Sequence, residues 1–173
     1  MNIFVTSRKC SGSTLEACFL ENPCCNSRLI QGVFESDPRT IREYCLALGK
    51  KNVIVVSIHV NAAGNGTKWL NVTGWSVFMC SGQTESDRFA ECLCESAIKN
   101  FPGRRIRTDM SDGDMNWEEG FYILRKSWCP AVLTENFFMD NHSDLEYLQS
   151  RAGKQAVVDT HVEGIVEWLE MNK

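Results

Sequence analysis

Two chemically capable side chains stand at the ends of short apolar segments. The run Val53-Ile54-Val55-Val56-Ser57-Ile58 delivers His59 and Asn61 into the turn Ala62-Ala63-Gly64-Asn65-Gly66. A continuous β-branched run reads as a buried central strand, and open α/β sheets place reacting groups at the carboxyl ends of such strands. A second segment of the same kind, Pro130-Ala131-Val132-Leu133-Thr134-Glu135-Asn136-Phe137-Phe138, carries a carboxylate beside two aromatics. An imidazole suits a zinc ion, and a carboxylate near it suits the proton transfers of metal-assisted hydrolysis. The plainer readings are a hydrogen-bonded histidine at a strand end, and a glutamate that caps the following loop or pairs with Arg125 or Lys126.

The elements that would position these groups follow from the pattern around them. Pro38 opens a helix with Ile41, Tyr44, Cys45 and Leu48 at helical spacing, and Gly49 stops it before the His59 strand. Gly74-Trp75-Ser76-Val77-Phe78-Met79 alternates as a strand, and Thr84-Glu85-Ser86-Asp87 has the form of a capping box. Phe89, Cys92, Leu93, Ala97 and Ile98 form the stripe of the helix that follows. Phe121-Tyr122-Ile123-Leu124 reads as another strand, ahead of the one bearing Glu135. The chain closes with a short helix through Asp144, Leu145, Tyr147 and Leu148, then a longer one from Ala156 to Leu169. Helices alternating with short apolar strands imply an α/β fold, a twisted and largely parallel sheet with helices on both faces.

The 173 residues suffice for one domain with a full core. A net charge of −4 opposes broad attraction to nucleic acid or anionic lipid, and leaves Arg104, Arg105 and Arg107 as a solvated turn or at most a local substrate contact. Nine cysteines lack metal-site spacing, and their odd count favours reduced thiols over a disulfide framework. A cysteine hydrolase would need a thiol within reach of His59. The opening nine residues hold too short an apolar run for a signal peptide, and no stretch could span a bilayer. The expectation from this is a cytoplasmic protein as written, and separately a monomer. His142 reads as an exposed helix-entry residue and His161 as a satisfied core histidine. Asp109, Asp112 and Asp114 lack the order of a calcium loop. Trp69, Trp75, Trp117 and Trp128 could line a sugar or peptide groove, with core packing as the default for most of them.

Ser57-Ile58-His59-Val60-Asn61-Ala62, together with Leu133-Thr134-Glu135-Asn136-Phe137-Phe138 and the following Asn141, resembles the zinc-dependent N-acetylmuramoyl-L-alanine amidases of the amidase-3 family. The resemblance runs from about Asp37 to the C-terminus, through Gly74-Trp75-Ser76 and Gly120-Phe121-Tyr122-Ile123-Leu124. It implies an amidase-3-like catalytic domain over residues 37–173, preceded by an atypical segment over residues 1–36. It implies zinc as cofactor, His59 as a zinc ligand, Glu135 as the catalytic carboxylate, and Asn61 as a substrate-binding or bracing residue. Peptidoglycan or a muropeptide would be the substrate, reached at the cell wall after release or export by another route. The family's second histidine has no counterpart before His59, and the nearest match for its glutamate ligand is Glu16, in Ser11-Gly12-Ser13-Thr14-Leu15-Glu16-Ala17, which loosely resembles the start of the family's helix. The alternative is a metal-free, amidase-like domain that binds peptidoglycan or another partner without cleaving it.

Overall fold

The computed structural model describes residues 2–7, 28–32, 38–82, 84–111 and 113–172. In chain order they form β1 (Asn2–Ser7), β2 (Arg28–Gly32), α1 (Pro38–Leu48), a 3-10 turn (Lys50–Asn52), β3 (Val53–Asn61), β4 (Ser76–Met79) and α2 (Glu85–Asn100). Next come β5 (Trp117–Glu118), α3 (Tyr122–Lys126), β6 (Ala131–Phe138), α4 (His142–Gln149) and α5 (Arg151–Met171). Among the described residues the strands form one sheet in the order β2-β1-β3-β6-β4-β5. All pairings are parallel except that of β4 with β6. The expected largely parallel α/β sheet is what the chain builds.

The sheet is covered on both sides, which is why β3 needs no polar face. Val53 and Val55, with Ala131 and Leu133 of β6, pack under Ile41 and Cys45 of α1 and Ile123 and Leu124 of α3. Ile54, Val56, Ile58 and Val132 face the opposite way, toward Phe89, Leu93 and Ala97 of α2 and Ile165 and Trp168 of α5. Each fully buried valine or isoleucine in such a strand contributes about 1.5–3 kcal/mol. The two long helices approach closely at Gly164, where a Cβ would come 2.9 Å from the Leu93 Cα.

Local signals set the helix ends. Gly49 ends α1 at φ 84°, a backbone conformation that glycine adopts without strain. Thr84 caps α2: its hydroxyl accepts from the Ser86 N–H, and the Asp87 carboxylate accepts from the Thr84 N–H. The segment Phe121–Leu124 departs from the expected strand. Residues Tyr122–Lys126 are helical instead, burying Ile123 and Leu124 while Tyr122 stays exposed. The Ser127 hydroxyl closes that turn by donating to the Ile123 carbonyl at 2.7 Å.

Candidate active site

Register brings the two sequence candidates side by side. β3 and β6 pair in parallel with His59 opposite Glu135, and β4 pairs on the other flank of β6 with Ser76 opposite Glu135. Opposed residues share a face. His59, Glu135 and Ser76 therefore form a row on the α1/α3 side, beyond the apolar layer of Val55 and Leu133.

Glu135 is half-buried between His59 and Ser76. Its Oε2 is buried without a hydrogen-bond partner, and burial pushes the carboxyl up to about 7. The plain reading fails at the positions it named: Arg125 Nε donates to the Gly120 carbonyl, and no ion pair reaches Glu135 among the described residues. A carboxyl poised near neutrality, with one oxygen unanswered, is suited to take and return a proton. His59 is oriented by Ser57, whose Oγ lies 2.8 Å from Nε2.

The strand carrying Glu135 is interrupted just past it. The register slips by one residue between His59 and Asn61, and Phe137 takes φ 61°, a conformation rare for a bulky side chain. Packing enforces it: Phe137 is fully buried, edge-on to Phe101 (4.9 Å) and Tyr147 (5.7 Å). The bulge puts Phe137 in the α2/α5 core and returns Phe138 to the face of Glu135. Strain of this kind persists only where its surroundings over-determine it, and it gathers at functional sites.

Within the bulge a polar network holds His59 from behind. Asn136 Nδ2 donates to the His59 carbonyl at 2.9 Å, while Asn136 Oδ1 accepts from Trp75 Nε1 at 2.9 Å. Nδ2 also reaches Thr134 Oγ1 at 3.2 Å, and that hydroxyl lies 2.8 Å from His161 Nε2. His161 Nδ1 sits 2.7 Å from the Val157 carbonyl. A carbonyl can only accept, so Nδ1 carries the proton and Nε2 accepts from Thr134. His161 is thus the satisfied core histidine expected, and it also supports the site. Asn136 and Thr134 were not singled out by the sequence, because their role depends on a bulge that local pattern does not announce.

The loop after β3 is clamped. Asp140 accepts from the N–H groups of Ala63 (3.1 Å) and Gly64 (2.7 Å), and Asn61 Oδ1 accepts from the Ala62 N–H at 2.8 Å. Asn61 therefore braces its own turn. Asp144, also buried, accepts from Thr73 Oγ1 and from the Phe138 N–H. His142 is exposed and stacks on Trp69 at 3.6 Å. Trp75 is core, whereas Trp69 and Trp128 are exposed. Asp109 and Asp114 make turn bonds to Ser111 and Asn116, and Asp112 lies outside the described residues. Burial pushes the Cys92 and Cys94 thiols up to about 11 and about 12 and raises Cys129 further, the opposite of what a thiolate nucleophile needs.

His59 and Glu135 are the donor types a catalytic zinc takes, and the orphaned Glu135 Oε2 is consistent with an occupant beside it. Among the described residues, however, no group of three His, Cys, Asp or Glu side chains is placed to hold a metal ion. Glu16 lies outside the described residues. Nor, among them, is any helix long and apolar enough to cross a membrane.

Burial makes His161 a pH probe of the network, drawing it down to about 4. The neutral form is favoured in the folded state, so its stability contribution is fully present above pH 6.5 and is lost as pH falls toward 4. One pKa unit is worth about 1.4 kcal/mol, so folding is expected to weaken by about 2 kcal/mol between pH 7.5 and 5. Glu135, raised by burial, acts in the opposite sense in the same window. Urea midpoints are therefore best compared in the Glu135→Gln background, where the slope is expected with His161 and absent in His161→Gln.

Comparison with known proteins identifies the family and the fold. The amidase-3 family model, described as N-acetylmuramoyl-L-alanine amidase, matches residues 39–167. The chain is 29% identical over 121 residues to N-acetylmuramoyl-L-alanine amidase CwlM of Bacillus licheniformis, covering 68% of this chain and 41% of that protein. It is 30% identical over 122 residues to an endolysin of Bacillus phage SPP1, again covering 69% of this chain and 41% of the relative. The chain thus spans less than half the length of these relatives. The crystal structure of an N-acetylmuramoyl-L-alanine amidase from Clostridium difficile 630 superposes with a TM-score of 0.77, covering 99% of this chain and 98% of that one; at 17% identity it speaks for the fold. With its fold shared and three quarters of its length matched by the family model, the chain belongs to the N-acetylmuramoyl-L-alanine amidase family, amidase-3.

Proposed function

We propose that this chain hydrolyses the amide between the lactyl group of N-acetylmuramic acid and L-alanine, in peptidoglycan or a released muropeptide, as a zinc-dependent monomer. The observation that carries the reading is the pairing of His59 with an orphaned, burial-raised Glu135 at the centre of the sheet, in a chain of this family. Residues 37–173 would hold the catalytic part. His59 would be a zinc ligand and Glu16 a second, and Asn61, which braces the turn after β3, would contact the substrate. Zinc, when bound, supplies Lewis-acid polarisation of a carbonyl. The chain's own groups do the rest: Glu135 removes a proton from the attacking water and passes it to the leaving alanine nitrogen, and Ser57 and Asn136 fix the imidazole and its backbone.

The test is incubation of purified peptidoglycan and N-acetylmuramoyl dipeptide with the chain, with added zinc or with chelator, and detection of new alanine amino termini. Release that zinc sustains and chelation stops is expected. Binding to peptidoglycan without release would replace this reading with that of a metal-free binding domain.

A further inference from the structure

Register carries one more residue into the row that holds His59 and Glu135. Trp75 bridges Ile106 in parallel, and the Arg107 N–H donates to the Trp75 carbonyl at 2.7 Å, so Arg107 lies beside Ser76. Ile106 packs into the α2/α5 core, so Arg107 is on the opposite face, that of Glu135. The row across the sheet reads His59, Glu135, Ser76, Arg107.

Three features mark Arg107 as held there. Its stem lies over Gly74, where a Cβ would come 2.7 Å from Arg107 Cγ at a φ of 125° that other residues rarely adopt. Its guanidinium carbon sits 5.4 Å from the Phe138 ring and 5.8 Å from the Trp117 ring, within cation–π range of both. Phe138 is on that face because of the bulge, and Trp117 because it is registered with Phe78. Yet the guanidinium has no carboxylate within 4 Å among the described residues, whereas neighbouring Arg104 reaches Asp144. Between Arg107 and Glu135, Ser76 Oγ is buried without a hydrogen-bond partner, as is Glu135 Oε2. A placed cation and an unanswered hydroxyl thus lie in one line with the unanswered oxygen of the reacting carboxylate.

We propose that Arg107 is a specificity residue that receives a free carboxylate of the substrate, the α-carboxylate of the residue following alanine, with Ser76 as a second donor. The proposal rests on the amidase reading. Two strand spacings separate the Arg107 and Glu135 backbones by about 10 Å, an arginine side chain spans much of that distance, and each extended residue adds about 3.5 Å. A carboxylate one residue beyond the cut amide falls in the interval. Arginine suits it by presenting two parallel N–H donors.

The experiment compares N-acetylmuramoyl-L-alanyl-D-glutamate with its D-isoglutamine counterpart, in which that carboxylate is a carboxamide. Hydrolysis is followed with the parent, Arg107→Gln and Arg107→Lys. Binding is followed by calorimetry on Glu135→Gln with and without Arg107→Gln. The parent is expected to favour the carboxylate probe by about 10- to 100-fold, chiefly in KM and Kd. Arg107→Gln should erase that preference by weakening the carboxylate probe alone, and Arg107→Lys should restore part of it. Equal handling of both probes by the parent, or equal loss on both in Arg107→Gln, would overturn the proposal. If the parent cleaves neither probe, the amidase reading falls, and the binding comparison alone decides: discrimination that needs Arg107 upholds the carboxylate site, and its absence sinks it.

Discussion

Glu135→Gln is expected to lower the rate of amide hydrolysis by about 10²- to 10⁴-fold while leaving the fold intact. The side chains are nearly isosteric, so the bed of β3, β4 and β6 around the position is kept. The glutamine cannot take a proton from water at neutral pH, which removes the half-buried carboxyl opposite His59. The same substitution has a second consequence of opposite sign. Burial raises the folded Glu135 above its unfolded value, so its contribution to stability is full below about 4.5 and is lost as pH rises through about 7. In chelator at pH 8, Glu135→Gln should therefore unfold at a higher urea concentration than the parent. A variant that is inactive and less stable at pH 8 would mean that Glu135 is a structural residue. One that remains active would remove it from the proton transfer.

The strand positions of His59 and Glu135 were legible in the sequence because each follows a short apolar run, and the resemblance to the family, not the run, pointed to their roles. The α1 boundaries and the α2 capping box were legible for a similar reason: proline, glycine, threonine and aspartate act within a few residues. The segment Phe121–Leu124 was misread because four apolar residues in a row carry no period that separates strand from helix. Only the burial of Ile123 and Leu124 under the sheet, with Tyr122 in solvent, decides it. β1 and β2 went unread because they lie in a stretch rich in scattered cysteines and lacking a clean period. Asn136 and Arg107 are a different case. Their places are set by a register slip at Phe137 and by a single bridge from Trp75 to Ile106, pairings between segments far apart in the chain. No local pattern encodes them.

Asn136→Leu should reduce stability by about 2–4 kcal/mol and hydrolysis by more than that loss of fold explains. Leucine keeps the branching and heavy-atom count, and although its methyls are bulkier the main cost is polar. Trp75 Nε1 loses its acceptor at a fully buried position, and the His59 carbonyl loses a donor. Thr134 keeps His161 but loses the donor on its other side. Because Asn136 lies on the face away from Glu135, it does not touch the reacting groups, and its effect must pass through the His59 backbone. Two measurements separate this from general loosening. Under conditions where the variant is fully folded, kcat should fall while KM for the muropeptide stays within a few-fold of the parent. Asn136→Asp, which can still accept from Trp75 but cannot donate to the His59 carbonyl, should recover part of the stability above the carboxyl's titration range only if the tryptophan bond dominates. It should recover none of the rate. If Asn136→Asp restored hydrolysis, the hold on the His59 carbonyl would be irrelevant to catalysis, and the bulge would serve packing alone.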